Sequence, residues 1–227
     1  MSDGSTTRRR WFSYSLRSVF FLLTLVAIGL GWVASERKRS ERELLIAEDL
    51  KTRGARIDIA GRFDGSDPFS QPAWWQRSLS RVCGQKVRQV IVDGPSFSGE
   101  IPEVAALTKL SGIGLHWTQI RDLSPLAKLT SLENITVDGG PVSNISPLAE
   151  LTNLVGLDLN VSGVKDVSAL AKLGNLTVLR LQTSGVTDLS PLVGLKKLRY
   201  LNVRQTPISD EQIELLKSAL PDCEIDK

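Results

Sequence analysis

Leu148-Ala149-Glu150-Leu151-Thr152-Asn153-Leu154-Val155-Gly156-Leu157-Asp158-Leu159 spaces its leucines first three apart and then two apart, and the same offsets return along the chain. Steps of 22 from Leu107 land on Leu129, Leu151, Leu173 and Leu195, and steps of 22 from Leu110 land on Leu132, Leu154, Leu176 and Leu198. Five more columns stay apolar in this register: Val104/Leu126/Leu148/Leu170/Leu192, Ile113/Ile135/Leu157/Leu179/Leu201, Leu115/Val137/Leu159/Leu181/Val203, Ile120/Val142/Val164/Val186/Ile208 and Leu123/Ile145/Val167/Leu189. No insertion breaks it from Val104 to Val203. A strict period in the twenties marks a solenoid, whose units are each too small to bury an apolar face alone.

Ile113 and Leu115 alternate with polar or small neighbours, the period of a short half-buried strand. Leu123-Ser124-Pro125-Leu126 reads differently. Serine before proline predicts an N-cap followed by a residue already at helical φ. Ser146-Pro147 and Ser190-Pro191 repeat the pair, and Ser168-Ala169 keeps the serine. Each unit is thus a strand, a bend, one tight helical turn and a return.

The unit Leu148-x-x-Leu151-x-x-Leu154-x-x-Leu157-x-Leu159, with Val164 and Asp166-Val167-Ser168, resembles the leucine-rich repeats, in particular the short bacterial class of internalin-like proteins. The resemblance covers roughly residues 82–227. It implies an α/β solenoid: a leucine-rich-repeat horseshoe with short parallel strands, helical turns on the convex side and a C-terminal capping helix. Where such repeats carry asparagine to bond the next coil, this chain has Thr118, Gly140, Ser162, Ser184 and Thr206. Hydroxyls can substitute and Gly140 cannot, so the second full coil is expected to be the most loosely held.

The repeats are placed at residues 104–208, as coils 104–125, 126–147, 148–169, 170–191 and a partial 192–208. Val87, Val90, Val92, Phe97 and Ile101 echo the columns with one extra residue, so residues 57–103 are expected to form an N-terminal cap with an irregular first coil. Within that cap Arg56–Ile59 suits a strand, and Trp74 and Trp75 suit a helix covering the first coil. Residues 209–227 form the C-terminal cap: Ile213, Leu216 and Leu220 have helical spacing, acids fill the first turn, and Cys223 and Ile225 are read as re-entering the strand columns.

Before the repeats, residues 1–17 form a basic tail and residues 18–35 carry no charge. Eighteen helical residues span about 27 Å, close to the ~30 Å core of a bilayer. Trp11, Phe12, Tyr14 and Trp32 flank the stretch as an aromatic belt would. This predicts one N-terminal transmembrane helix, an uncleaved signal anchor inserted in the lipid bilayer, followed by a charged, solvated helical linker over 36–56. The six basic residues soon after the span favour a cytoplasmic domain, and the four before it favour export. The short basic tail decides for a single-pass membrane protein with exported repeats.

Of 28 Lys and Arg, 11 lie in residues 1–56 against 6 of the 25 Asp and Glu, so the remainder carries a balance of −2. The basicity belongs to the membrane flanks, and no nucleic-acid footprint remains. Cys83 and Cys223, about six coils apart at ~4.8 Å each, stand too far apart for a disulfide. The sequence offers no catalytic, cofactor-binding or metal-ligating constellation; its single histidine, His116, has no cysteine in register. The expectation is a non-enzymatic protein with no cofactor and no metal.

Function then falls to the outward strand positions, which form three ladders. They are Gly112, Asn134, Gly156, Val178 and Tyr200; Gly114, Thr136, Asp158, Arg180 and Asn202; and His116, Asp138, Asn160, Gln182 and Arg204. With Trp117 they make a candidate concave face for a protein or peptide partner. Two alternatives stand beside this: a self-associating envelope component, for which a homo-oligomer is possible, and a small-ligand or glycan receptor using the room left by glycines near His116 and Trp117.

Overall fold

The structure, a computed structural model, describes residues 16–60, 86–94 and 101–227. Helix α1 (Leu16–Thr52) leads into β1 (Ala55–Ala60) and β2 (Lys86–Asp93). Five strands then recur at the repeat period: β3 (Gly112–His116), β4 (Asn134–Asp138), β5 (Gly156–Asp158), β6 (Val178–Arg180) and β7 (Tyr200–Asn202). Helix α2 (Asp210–Ala219) and β8 (Glu224–Asp226) finish the chain. The strands form one sheet in sequence order, with β1 antiparallel to β2 and every later pair parallel.

Register follows the leucine columns. Ile113 pairs with Ile135, Ile135 with Leu157, Leu157 with Leu179 and Leu179 with Leu201. All the apolar columns named above are buried in one continuous core. Each fully buried leucine contributes about 1.5–3 kcal/mol, and none could be buried by its own coil alone.

The tight turns form where expected, at Ser124–Leu126, Ser146–Leu148, Ser168–Lys172 and Ser190–Leu192, but the serines do not cap them. The acceptor stands two residues earlier. Ser124 N–H donates to Asp122 Oδ1 (2.8 Å), Ser146 N–H to Asn144 Oδ1 (3.0 Å), Ser168 N–H to Asp166 Oδ1 (2.8 Å) and Ser190 N–H to Asp188 Oδ1 (2.8 Å). Serine is already the first residue of its turn, so an Asx side chain upstream meets its amide.

The expected coil-to-coil lock also lies elsewhere. Ser162 and Thr206 donate to Leu159 O and Val203 O of their own coils. Crossing is done by Asn153 Nδ2 to Thr130 O (2.8 Å) and Asn175 Nδ2 to Thr152 O (2.9 Å), on the other edge of the strands. Backbone donors add to it, Gly163 N–H to Val142 O (2.8 Å) and Gly185 N–H to Val164 O (2.9 Å). The residue at this position in the second coil is Pro141, which has no N–H to give.

Both ends are closed. Ser209 accepts from Gln212 N–H and caps α2. Ile225 pairs with Leu201, so Cys223 falls before the strand and not in its column; a ten-residue helix in place of a tight turn needs two extra residues to return to the sheet. At the other end α1 is continuous beyond the uncharged stretch. Its second half is no solvated linker: Ala47 and Leu50 join the core with Ala55, and Gly54 at φ 99° ends it. Trp74, Trp75, Phe97 and Cys83 lie outside the described residues.

Among the described residues no helix is long and apolar enough to cross a membrane.

Two outcomes follow from these bonds. The serine hydroxyl and then its amide hold Asp122 below the usual carboxylate range, and the amides of Ser168 and Ser190 lead for Asp166 and Asp188. Stability from a lowered carboxylate is present above the ordinary value of about 3.9 and is lost as pH falls through the lowered one. Replacing all three with asparagine, the residue already at 144, should keep the neutral-pH melting temperature and flatten its loss below about pH 4 in thermal melts. In amide exchange, residues 126–147 should be the least protected coil, since Gly140 and Pro141 remove a hydroxyl and a backbone donor together.

Candidate functional site

The outward ladders are extended at both ends by strands outside the strict period. Gln89, Ile91 and Asp93 of β2 stand in register with Gly112, Gly114 and His116, and Glu224 and Asp226 of β8 with Tyr200 and Asn202. The one-residue slip upstream was visible in the spacing of Val90 and Val92. The downstream pair was hidden by the capping helix.

The room expected beside the glycines is filled. A side chain at Gly112 would touch Gln89 at 3.4 Å, one at Gly114 would meet the His116 ring at 3.0 Å, and one at Gly156 would lie 2.6 Å from Asn134 Oδ1. At Gly139 it would lie 2.3 Å from the Trp117 ring, which rests flat on that glycine. At Gly112, Gly139 and Gly156 the small residue lets a side chain of the neighbouring coil fold down, and at Gly114 the His116 ring of the same strand lies over it.

Trp117 begins a column of unusual backbone. Trp117, Gly139, Val161, Thr183 and Gln205 have φ of 55°, 67°, 49°, 57° and 57°. The reason is the ladder. Trp117 N–H donates to Asp138 O (2.7 Å), Gly139 to Asn160 O (3.2 Å), Val161 to Gln182 O (3.0 Å) and Thr183 to Arg204 O (2.9 Å), so left-handed geometry carries coil-to-coil bonding beyond the end of each strand. For β-branched Val161 and Thr183 that conformation costs roughly 1–2 kcal/mol each. Trp117 stays 57 % exposed, an apolar ring held in place by a strained turn.

Two of the candidate residues are withdrawn from the surface, and one of them, Asn202, is structural. Asn160 and Asn202 are buried. Asn202 Oδ1 accepts from Arg204 N–H (3.0 Å) and its Nδ2 donates to Gln182 Oε1 (3.1 Å). Asp158 serves the turn in its coil, accepting from Asn160 N–H at 3.3 Å. Burial raises Asp158 above the ordinary carboxylate value, opposed by that amide and by Arg180 at 3.8 Å. Arg180 also stands 5.6 Å over the Tyr200 ring, and Arg204 donates to Asp226 at 2.7 Å. The face is therefore tied down towards its C-terminal end. His116, Asn134, Thr136 and Asp138 in the first two repeats keep part of their surface open.

No family model and no curated protein matches the chain. Solved structures do. The chain is similar to internalin C2 of Listeria monocytogenes, with 30% identity over 66% of this chain and 63% of that one and a TM-score of 0.52. A second Listeria monocytogenes internalin, inlF, gives 23% identity over 66% and 53% with a TM-score of 0.48. A Leptospira interrogans leucine-rich-repeat protein gives 20% over 58% and 40% with a TM-score of 0.49. The fold is a leucine-rich-repeat solenoid. These neighbours are bacterial, and the chain spans less than two thirds of the length of each.

Val161→Gly removes a β-branched side chain from a left-handed turn at a half-open position. It should raise stability by about 0.5–1 kcal/mol in urea melts, the strain relieved less the entropy of an added glycine.

Proposed function

We propose that this chain is a non-enzymatic, membrane-anchored interaction protein that holds a protein or peptide on its concave sheet face. The observation that carries the reading is the face itself: eight strands in one sheet, with mixed-charge ladders and an exposed Trp117 at the rim. Extended concave surfaces are how solenoids bind, and an exposed, rigidly held aromatic suits a hot spot. Similarity to a fold used by internalins supports this at the level of analogy. The small-ligand reading loses its footing with the filled glycine positions.

The anchor belongs to the same proposal. Phe20, Phe21, Leu23, Leu25, Val26, Ile28, Leu30 and Trp32 are all exposed and point in every direction around α1. A helix apolar all round belongs in a core or a bilayer, and no core surrounds this one. Residues 18–35 are the span, and the repeats lie on the exported side.

The test is cross-linked capture from solubilised membranes of the native host. Wild type is compared with a Thr136→Arg, Asp138→Ala, Arg180→Ala variant, which spares the turn-holding Asp158 and Asn202. Thr136 and Asp138 are half-buried and Arg180 pairs with Asp158, so each change should cost up to about 1 kcal/mol, and a thermal melt first checks that the variant is folded. One partner captured by wild type and lost by the variant supports the face. An unchanged set sinks it, and capture of this chain alone points to the self-associating alternative. Recovery of the protein outside the membrane fraction would remove the anchor.

A further inference from the structure

A groove of about 380 Å³ runs between α1 and the turn Pro102–Ala106, and its wall carries Lys38, Arg39 and Arg42 against the single carboxylate of Glu43. Arg39 reaches Glu36 at 3.6 Å. Lys38 and Arg42 differ: they stand one helical turn apart on one face, are exposed, and make no ion pair or hydrogen bond among the described residues. Ile46 and Ala106 close the far end with apolar surface. Two cations over a cleft of this size suit an anion larger than a simple ion.

The groove has a fixed place relative to the uncharged stretch, which ends at Ser35. At 1.5 Å per residue, Lys38 and Arg42 lie about 5–10 Å beyond it, the depth of the headgroup layer outside a ~30 Å hydrocarbon core. The wall opposite the helix is part of the solenoid, since Ala47 and Leu50 fix α1 to the core one to two turns further on. The cleft is thus a rigid feature of the folded domain held at membrane height.

We infer that this groove binds the headgroup of one anionic phospholipid, with its phosphate between Lys38 and Arg42. This rests on the anchor reading above. A zwitterionic headgroup would bring its own cation against Lys38, Arg39 and Arg42, so the site selects net negative charge. Binding here would orient the first coil, and with it the whole sheet face, at a set angle to the bilayer.

The experiment uses the full chain, purified in mild detergent and titrated separately with phosphatidylglycerol, phosphatidylcholine and inorganic phosphate. Native mass spectrometry counts what stays bound. Lys38→Gln/Arg42→Gln empties the groove of charge, and Arg37→Gln/Lys51→Gln removes the same charge from exposed positions outside it. Wild type and the outer variant should retain one phosphatidylglycerol, and the groove variant should bind it at least about tenfold more weakly. Equal losses in both variants would mean diffuse attraction and overturn the site. Equal binding of phosphatidylcholine, or of inorganic phosphate alone, would overturn the lipid assignment. If no lipid is retained while the protein still partitions to membranes, the groove fails and the anchor stands; if it does not partition at all, both fall.

Discussion

A coil of 22 residues has room for a strand, a tight turn and two returns, but not for an interior of its own. Its leucines point at the gap between itself and the next coil, and they leave water only when that coil arrives in register. The register is set by the parallel ladder, in which Ile113, Ile135, Leu157, Leu179 and Leu201 stand in one row. A slip of one residue along the strand would turn every buried side chain to the solvent face. Caps, turns and the concave surface all follow from keeping that row intact.

The bonds that keep it intact are distributed over both edges of the sheet. On one edge Asn153 and Asn175 reach back a coil with their amides. On the other, the strand ladder runs on through left-handed turns, and at Val161 and Thr183 a β-branched residue accepts unfavourable backbone geometry for it. That exchange makes sense energetically. A buried N–H left without a partner costs about 1–3 kcal/mol, comparable with the strain of the turn that satisfies it. The same turns fix Trp117 at the rim, so an exposed element of the sheet face is produced by a requirement of the backbone.

Much of this was legible in the columns. The leucine register, the strands and the capping helix all depend on local spacing, which a sequence displays directly. The turn caps were misread because serine and aspartate both lie in Asp-x-Ser-Pro, and either side chain could cap; only geometry shows the Ser124 amide facing Asp122. The coil-to-coil lock was misplaced for a related reason. Position decides it: on the edge where Asn153 and Asn175 cross, the hydroxyls of Ser131 and Thr177 also reach the preceding coil.

What the sequence by itself determined is everything that repeats: coil length, core columns, strand order and the side of each strand that faces out. Burial of a periodic face against its own copy is independent of which copy is considered, so the period alone carries the information. What only the tertiary structure decided is aperiodic. Gly112, Gly114 and Gly156 read as open space until neighbouring side chains are seen folded over them. Asn160 and Asn202 read as free binding residues until their burial is seen, and the charged half of α1 reads as a spacer until Ala47 and Leu50 are found in the core. Most of these turn on a side chain meeting another from a different coil or element, and no spacing along a single chain encodes such a meeting.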